Sequence, residues 1–209
     1  MRGLRRPLGI AATAAFVMLV AASCAGSTPG GAPDSPSLGS VTPVPPEGEV
    51  AATGTVLDAA GETQLCLGAV AESYPPQCSG IPLEGWTWDG VDGAESSGDV
   101  TWGAYAVRGI YDGDTFTSTQ PPIMLALYDP IRPEDPTGGE PGAGDDATLA
   151  SIQEDLPELL GDPYLGSSPQ NGWLWVDVVW DDGSWQEAAD AEYGEKTIVI
   201  RSALTETGG

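Results

Sequence analysis

CLGAVAESYPPQCSGIPLEGWTW, residues 66–88, decides how this chain is read. It holds two of the three cysteines, the Pro75-Pro76 pair and a Trp86-Thr87-Trp88 triplet, with strand-like sequence on both sides. Cys66 and Cys78 stand twelve positions apart. In an oxidising compartment such a pair forms a disulfide. Closing so short a loop stabilises the fold by about 3 kcal/mol in the chain-entropy picture. Pro75 and Pro76 bend and stiffen the chain inside it. The rival reading is a metal site, which needs two further soft or imidazole ligands, and the chain has no histidine. No CxxC spacing exists for redox chemistry. The stretch therefore reads as the stapled loop of a small β domain, with no metal and no cofactor expected.

Residues 49–128 supply the strands of that domain. Glu49–Leu57 (EVAATGTVL) is a strand interrupted by a glycine, and Thr63–Leu67 carries Cys66 into the staple. Val100–Gly109 (VTWGAYAVRG) alternates, with Trp102, Ala104, Ala106 and Arg108 on one face and Gly103, Tyr105, Val107 and Gly109 on the other. Ile110-Tyr111, the Asp112-Gly113 turn and Asp114–Thr119 form the clearest hairpin signal in the chain. After Pro121-Pro122, Ile123–Tyr128 (IMLALY) reads as a last strand. Five short strands, the first marked by glycine, point to a small barrel of the OB or SH3 kind. Asp89, Asp92, Asp112 and Asp114 raise the question of calcium, but none fits EF-hand spacing, and Asp-Gly is first a turn signal. Trp86, Trp88 and Trp102 suit either stacking on a flat ligand or packing in a small core.

Residues 129–147 (DPIRPEDPTGGEPGAGDD and the residue after it) are rich in Pro, Gly and acid and read as a linker. Residues 148–209 read as an α-β-α-β unit. Thr148–Leu160 places Leu149, Ile152, Leu156 and Leu160 on one helical face, with Pro157 expected to kink or shorten the helix. Trp173–Trp180 (WLWVDVVW) is a strand whose buried face is Leu174, Val176, Val178 and Trp180. Ser184 and Glu187 match a capping box for a helix over Trp185–Tyr193, ended by Gly194. Thr197–Ile200 closes the unit. The surplus aromatic face, Trp173 and Trp175, calls for cover from the β domain or its sheet, or for a partner. Asp177 shares that face and reads as a buried acid. The fold class is α+β: a barrel-like N-terminal part packed against the C-terminal unit.

Residues 1–23 are a targeting segment. Arg2, Arg5 and Arg6 precede an apolar run over Leu8–Ala22, too short and wrongly flanked for a membrane span. Val20-Ala21-Ala22-Ser23-Cys24 resembles a bacterial lipobox, with Ala21 where leucine is usual. That resemblance implies diacylation of the Cys24 sulfur, a new N-terminus at Cys24 and acylation of its amine. Cleavage without lipid would leave an unpaired secreted thiol. The general secretory route is expected, since Arg5-Arg6 followed by Pro7-Leu8 is a poor twin-arginine signal. Residues 24–48, dominated by Gly, Ser, Pro, Thr and Ala, read as a disordered tether from lipid anchor to domain.

Charge narrows the partners. Three of the seven basic residues leave with the targeting segment while all 31 acidic ones remain, giving a charge of about −27. A basic footprint for nucleic acid is missing. Adhesion to anionic lipid by charge is disfavoured as well. Without histidine, Ser-His-Asp and Cys-His catalysis are out, and neither GxSxG nor GxxxxGK[ST] occurs. Acids are abundant enough for a carboxylate-pair hydrolase, though abundance singles out no pair.

CLGAVAESYPPQCSGIPLEGWTW, TWGAYAVRGIYDGDTFT and DAEYGEKTIVIRSAL together resemble segments of uncharacterised secreted lipoproteins of high-GC Gram-positive (actinobacterial) bacteria, over most of residues 49–204. The resemblance implies lipidation at Cys24 and the Cys66–Cys78 bond, and no catalytic residue. The expectation is a lipid-anchored protein on the outer face of the cytoplasmic membrane. It acts as a non-enzymatic binding or scaffold module for a small ligand or another envelope protein, with Trp86, Trp88, Trp173 and Trp175 as candidate surface. The alternative is a carboxylate-based hydrolase of envelope polymers.

Overall fold

The computed structural model describes residues 36–130 and 133–208. The targeting segment, Cys24 and the first part of the expected tether lie outside the described residues. The first strands in order are β1 (Val50–Ala59), β2 (Glu62–Cys66), β3 (Ile81–Glu84), β4 (Glu95–Ser97), β5 (Val100–Tyr111), β6 (Phe116–Ser118) and β7 (Ile123–Met124). β1 pairs antiparallel with β2 and, along its whole length, with β5. β2 pairs antiparallel with β3, β3 pairs parallel with β6, and β6 returns antiparallel to β5. Five strands thus close into a barrel, and β4 and β7 add to the β5 edge.

Tight curvature needs strand positions without side chains. At Gly54 of β1 a Cβ would stand 2.5 Å from the Cys66 carbonyl oxygen, and at Gly109 of β5 it would run into the Thr117 carbonyl and the Phe116 ring. The interior is filled by Val50, Ala52, Val56, Leu65, Leu83, Tyr105, Val107, Tyr111 and Phe116. The alternation expected of β5 holds: Tyr105 and Val107 point inward, while Trp102 packs outside with Leu57 and Cys66. Cys66 and Cys78 form the disulfide, Cα atoms 6.0 Å apart. Tyr74 of the stapled loop sets its ring edge-on to Trp102, centroids 5.4 Å apart. Trp102 is therefore the floor of the staple and stands apart from Trp86 and Trp88. The strand expected over Ile123–Tyr128 is shorter. Only Ile123 and Met124 pair, and Leu125–Leu127 turn into a 3-10 helix.

The C-terminal part runs α1 (Asp146–Leu160), β8 (Tyr164–Gln170), β9 (Trp173–Val178), α2 (Ser184–Tyr193), β10 (Ile198–Ser202) and β11 (Thr205–Glu206). β9 lies between antiparallel β8 and parallel β10. α1 and α2 bury Leu149, Ile152, Leu156, Leu160, Trp185, Ala188 and Ala189 against Leu174, Val176 and Val178. α1 continues through Pro157, because the missing N–H costs one bond while the buried Leu156 and Leu160 hold the last turn. Asp145 starts α1 by accepting the N–H groups of Ala147 and Thr148. The capping box expected at Ser184 and Glu187 does not form. Gly183 occupies the cap with φ 99°, and the Asp181 carboxylate accepts from the N–H groups of Trp185 and Gln186. Burial pushes the Asp181 carboxyl up, outweighing the lowering by those N–H groups.

The strand β9 ends at Val178, so Val179 and Trp180 leave the expected alternation. Val179 and Leu204 enter the barrel core, and β11 pairs with the start of β1. The C-terminal unit is thus packed on the barrel. The tether reading fails over residues 37–46. Leu38 is fully buried among the helices, its N–H donates to Glu192, and the Val44 N–H donates to Asp182.

Candidate functional site

Past β3 the chain turns at Gly85, whose φ of 70° and approach to the Ser118 carbonyl (2.8 Å from a built Cβ) admit only glycine comfortably. Residues 86–92 then fold back over the barrel. Trp86, Trp88 and Tyr105 form one aromatic cluster: Trp86 meets Trp88 edge-to-face at 5.2 Å, and Tyr105 lies 5.3 and 6.2 Å from the two. Such pairs add about 0.5–1.5 kcal/mol each beyond their buried area. The Tyr105 hydroxyl donates to the Asp92 carbonyl, 3.0 Å away, and pins the loop. Burial first, and the Asp92 charge second, push the Tyr105 phenol up, so it stays a proton donor at neutral pH.

Opposite this loop stand Ser118–Gln120 and the Pro121-Pro122 corner, followed by Ile123, Met124 and Leu127. The space between is a cleft of about 570 Å³. Trp86 and Tyr105 line it, and so do Asp89 and Asp92. Ile123 and Leu127 are 45% and 76% exposed, so the mouth is apolar. Thr119 and Gln120 both donate to the Glu49 carboxylate, which holds that carboxyl below its usual range and fixes the far wall. The indole nitrogens of Trp86 and Trp88 are buried without a hydrogen-bond partner in the structure, an arrangement that costs energy unless something accepts from them. A concave cleft that joins aromatic and apolar walls to a few fixed polar groups is the usual form of a small-ligand site.

The four tryptophans expected as a surface do not come together. Trp86 and Trp88 share the cleft loop. Trp173 is buried: residues 140–144 lie over it, and its indole N–H donates to the Glu140 carbonyl at 2.9 Å. The expected linker thereby becomes part of the fold, with backbone bonds from Gly142 to Asn171, Ala143 to Lys196 and Gly144 to Gly172. Trp175 is half-buried under the Arg201 guanidinium, 5.1 Å from its ring centre. Arg201 also pairs with Asp177 at 2.8 Å, so Asp177 is a half-exposed ion-pair partner rather than a buried acid. Tyr105, Ile123 and Leu127 were not singled out from sequence. Tyr105 shows in the sequence only as a position on one face of a strand, and the exposure of Leu127 depends on the 3-10 turn that replaces the expected strand.

Among the described residues no helix is long and apolar enough to cross a membrane, and no group of three or more Cys, Asp or Glu is placed to hold a metal ion. No family model, curated protein or solved structure matches the chain.

Proposed function

We propose that the chain is a lipid-anchored extracytoplasmic binding module, held through Cys24 to the outer face of the membrane, that takes a sugar-like ligand in the Trp86 cleft. The cleft carries the reading: a wall of Trp86 and Tyr105, an apolar mouth, and a Trp86 indole N–H that is buried without an acceptor. We read the barrel as OB-like, on its closed order β1-β2-β3-β6-β5 and the parallel β3–β6 closure. Barrels of that kind bind oligosaccharides and oligonucleotides. A charge of about −27 in the mature chain argues for the former. Pyranose rings offer an apolar face to an indole and hydroxyl oxygens to an indole N–H. A lipobox and an Ala- and Gly-rich, Lys-poor composition support an actinobacterial envelope as the setting.

The test is tryptophan fluorescence of residues 25–209 titrated with soluble N-acetylglucosamine oligomers and with envelope glycan fragments. Saturable quenching is expected. Leu127→Asp, at an exposed position of the mouth, should weaken it roughly tenfold. Trp86→Ala should abolish it. Quenching unaffected by Leu127→Asp would place the ligand elsewhere.

One observation favours a second reading, a carboxylate-based hydrolase: Asp89 and Asp92 line the same cleft. Shortening of the same oligomers on long incubation, lost in both Asp89→Asn and Asp92→Asn, would establish it.

A further inference from the structure

The strap over residues 37–46 shows what kind of chain this surface accepts. Thr42, Val44 and Pro45 each precede a proline and are driven to extended geometry. Prolines 43, 45 and 46 fix φ near the polyproline value. Trp185 donates its indole N–H to the Val41 carbonyl at 3.0 Å, and Trp180 donates to the Val44 carbonyl at 2.9 Å. The two carbonyls are three residues apart, one turn of a polyproline helix, so both face the same wall. Pro43 and Pro45 line a small cavity of about 60 Å³ together with Tyr111, Pro163, Trp180 and Trp185. Indole donors reading the carbonyls of a proline-rich segment are the recognition mode of proline-binding grooves.

The small cavity under the strap has an open neighbour. Tyr111, Gly113 and Pro163 are shared with an open groove of about 540 Å³ between barrel and C-terminal unit. Its walls include Leu67, Ile81, Tyr164 and Leu165, and Asp114 and Asp162 are its charged side chains. Both acids are exposed, and no Lys or Arg lines it.

We propose that this open groove is a docking site for a proline-rich, basic peptide segment of another protein, laid end to end with the chain's own strap. Continuity with a seated proline-rich segment gives the backbone form, and the two carboxylates give the sign of the flanking charge. The strap of a second copy is the wrong occupant. Its stretch from Asp34 to Glu49 has no basic residue. The inference is independent of the Trp86 cleft and of what binds there.

The experiment uses residues 25–209 and a fluorescein-labelled probe, Arg-Pro-Pro-Val-Pro-Pro-Arg, with two controls: glutamate for both arginines, and glycine for all prolines. Anisotropy and amide shifts are followed together. Saturable binding of the basic probe is expected, with shifts at Leu67, Ala69 and Leu165, and much weaker binding of either control. Ala69 is exposed and lines the groove, so Ala69→Trp should fill it without unfolding the protein and weaken binding roughly tenfold or more. Asp114→Lys with Asp162→Lys should reverse the preference between arginine and glutamate probes. The proposal fails if the probe does not saturate at millimolar concentration, or if the glycine or glutamate peptide binds as well. It also fails if Ala69→Trp changes nothing while keeping the native melt, if the shifts are confined to residues 37–46, or if sedimentation shows a dimer that the probe dissociates.

Discussion

The indole N–H of Trp180 reaches the carbonyl of Val44 at 2.9 Å, across 136 positions of sequence. With the Trp185–Val41 bond, it fastens to the C-terminal unit a segment whose composition alone reads as spacer. Trp180→Phe keeps most of the apolar contact and removes the donor. It should cost about 1 kcal/mol in a urea melt and speed proteolytic cutting within residues 37–46. An unchanged midpoint together with an unchanged cutting rate would show that the indole does not hold the strap.

The staple is the next element to remove. Cys66 is buried beside Leu57 and Trp102, and its bond to Cys78 closes a twelve-residue separation. Reduction frees that loop in the unfolded chain, and Cys66→Ser also places a hydroxyl among apolar neighbours. Reduction alone should lower stability by about 2–4 kcal/mol, with Cys66→Ser at least as costly. Both are read as a shift in denaturant midpoint. Alkylation without reductant should label neither cysteine. Labelling of both in the native protein would count against the bond.

Alkaline pH should weaken the fold through two tyrosines. Burial, followed by the charges of Asp114 and Asp112, pushes Tyr111 up to about 12. Burial, followed by Glu192, pushes Tyr193 up to about 12. In the unfolded chain both phenols ionise near their ordinary value of about 10. Between about pH 10 and 12 the folded state holds protons that the unfolded state has released, so stability falls as pH rises. Below about pH 10 both states are protonated and the effect vanishes. Absorbance at a phenolate band should show a late-titrating fraction that shrinks in Tyr111→Phe. That variant should also flatten the alkaline loss of stability.

Much of the fold was legible because it rests on local patterns. The Asp112-Gly113 hairpin, the alternation that sets Tyr105 and Val107 opposite Trp102, the α1 stripe of Leu149, Ile152, Leu156 and Leu160, and the Cys66–Cys78 staple all follow from spacing. What escaped depends on tertiary demand or on an overlooked turn. β8 has a weak strand composition, YLGSSPQ, but the Asn171-Gly172 pair after it has positive φ at both residues, the two-residue hairpin turn that this dipeptide favours. The capping box does not form because the helix starts one residue early: Gly183 is the cap and its carbonyl takes the Glu187 N–H, while Asp182 accepts the Ser184 N–H. The candidate site was half legible: Trp86 and Trp88 stand out in sequence, while Ile123 and Leu127 become a cleft mouth only when β7 stops after two residues. Cover over Trp173 is expected from the sequence but its source is not, because residues 140–144 carry almost no apolar surface and bind through backbone.

That cover yields the last prediction. Gly142 and Gly172 pass backbone against backbone: a Cβ at Gly142 would collide with the Gly172 carbonyl and stand 2.8 Å from the Trp173 nitrogen. Neither neighbour is a side-chain end that could swing aside. Gly142→Ala should therefore lift residues 140–144, at a cost of about 1–3 kcal/mol. The bonds from Gly142 to Asn171 and from Gly144 to Gly172 would go with it, and Trp173 would lose its acceptor on Glu140. The expected signature is a red-shifted tryptophan emission and faster exchange of the Trp173 indole proton, with the barrel amides unmoved. Glu140→Gln is the control. It breaks the exposed pair with Lys196 but keeps the carbonyl, so it should leave emission and exchange nearly unchanged. If Gly142→Ala leaves Trp173 as protected as before, the segment is not what buries it. If Glu140→Gln uncovers Trp173 as fully as Gly142→Ala does, the ion pair rather than the close backbone approach holds the segment down.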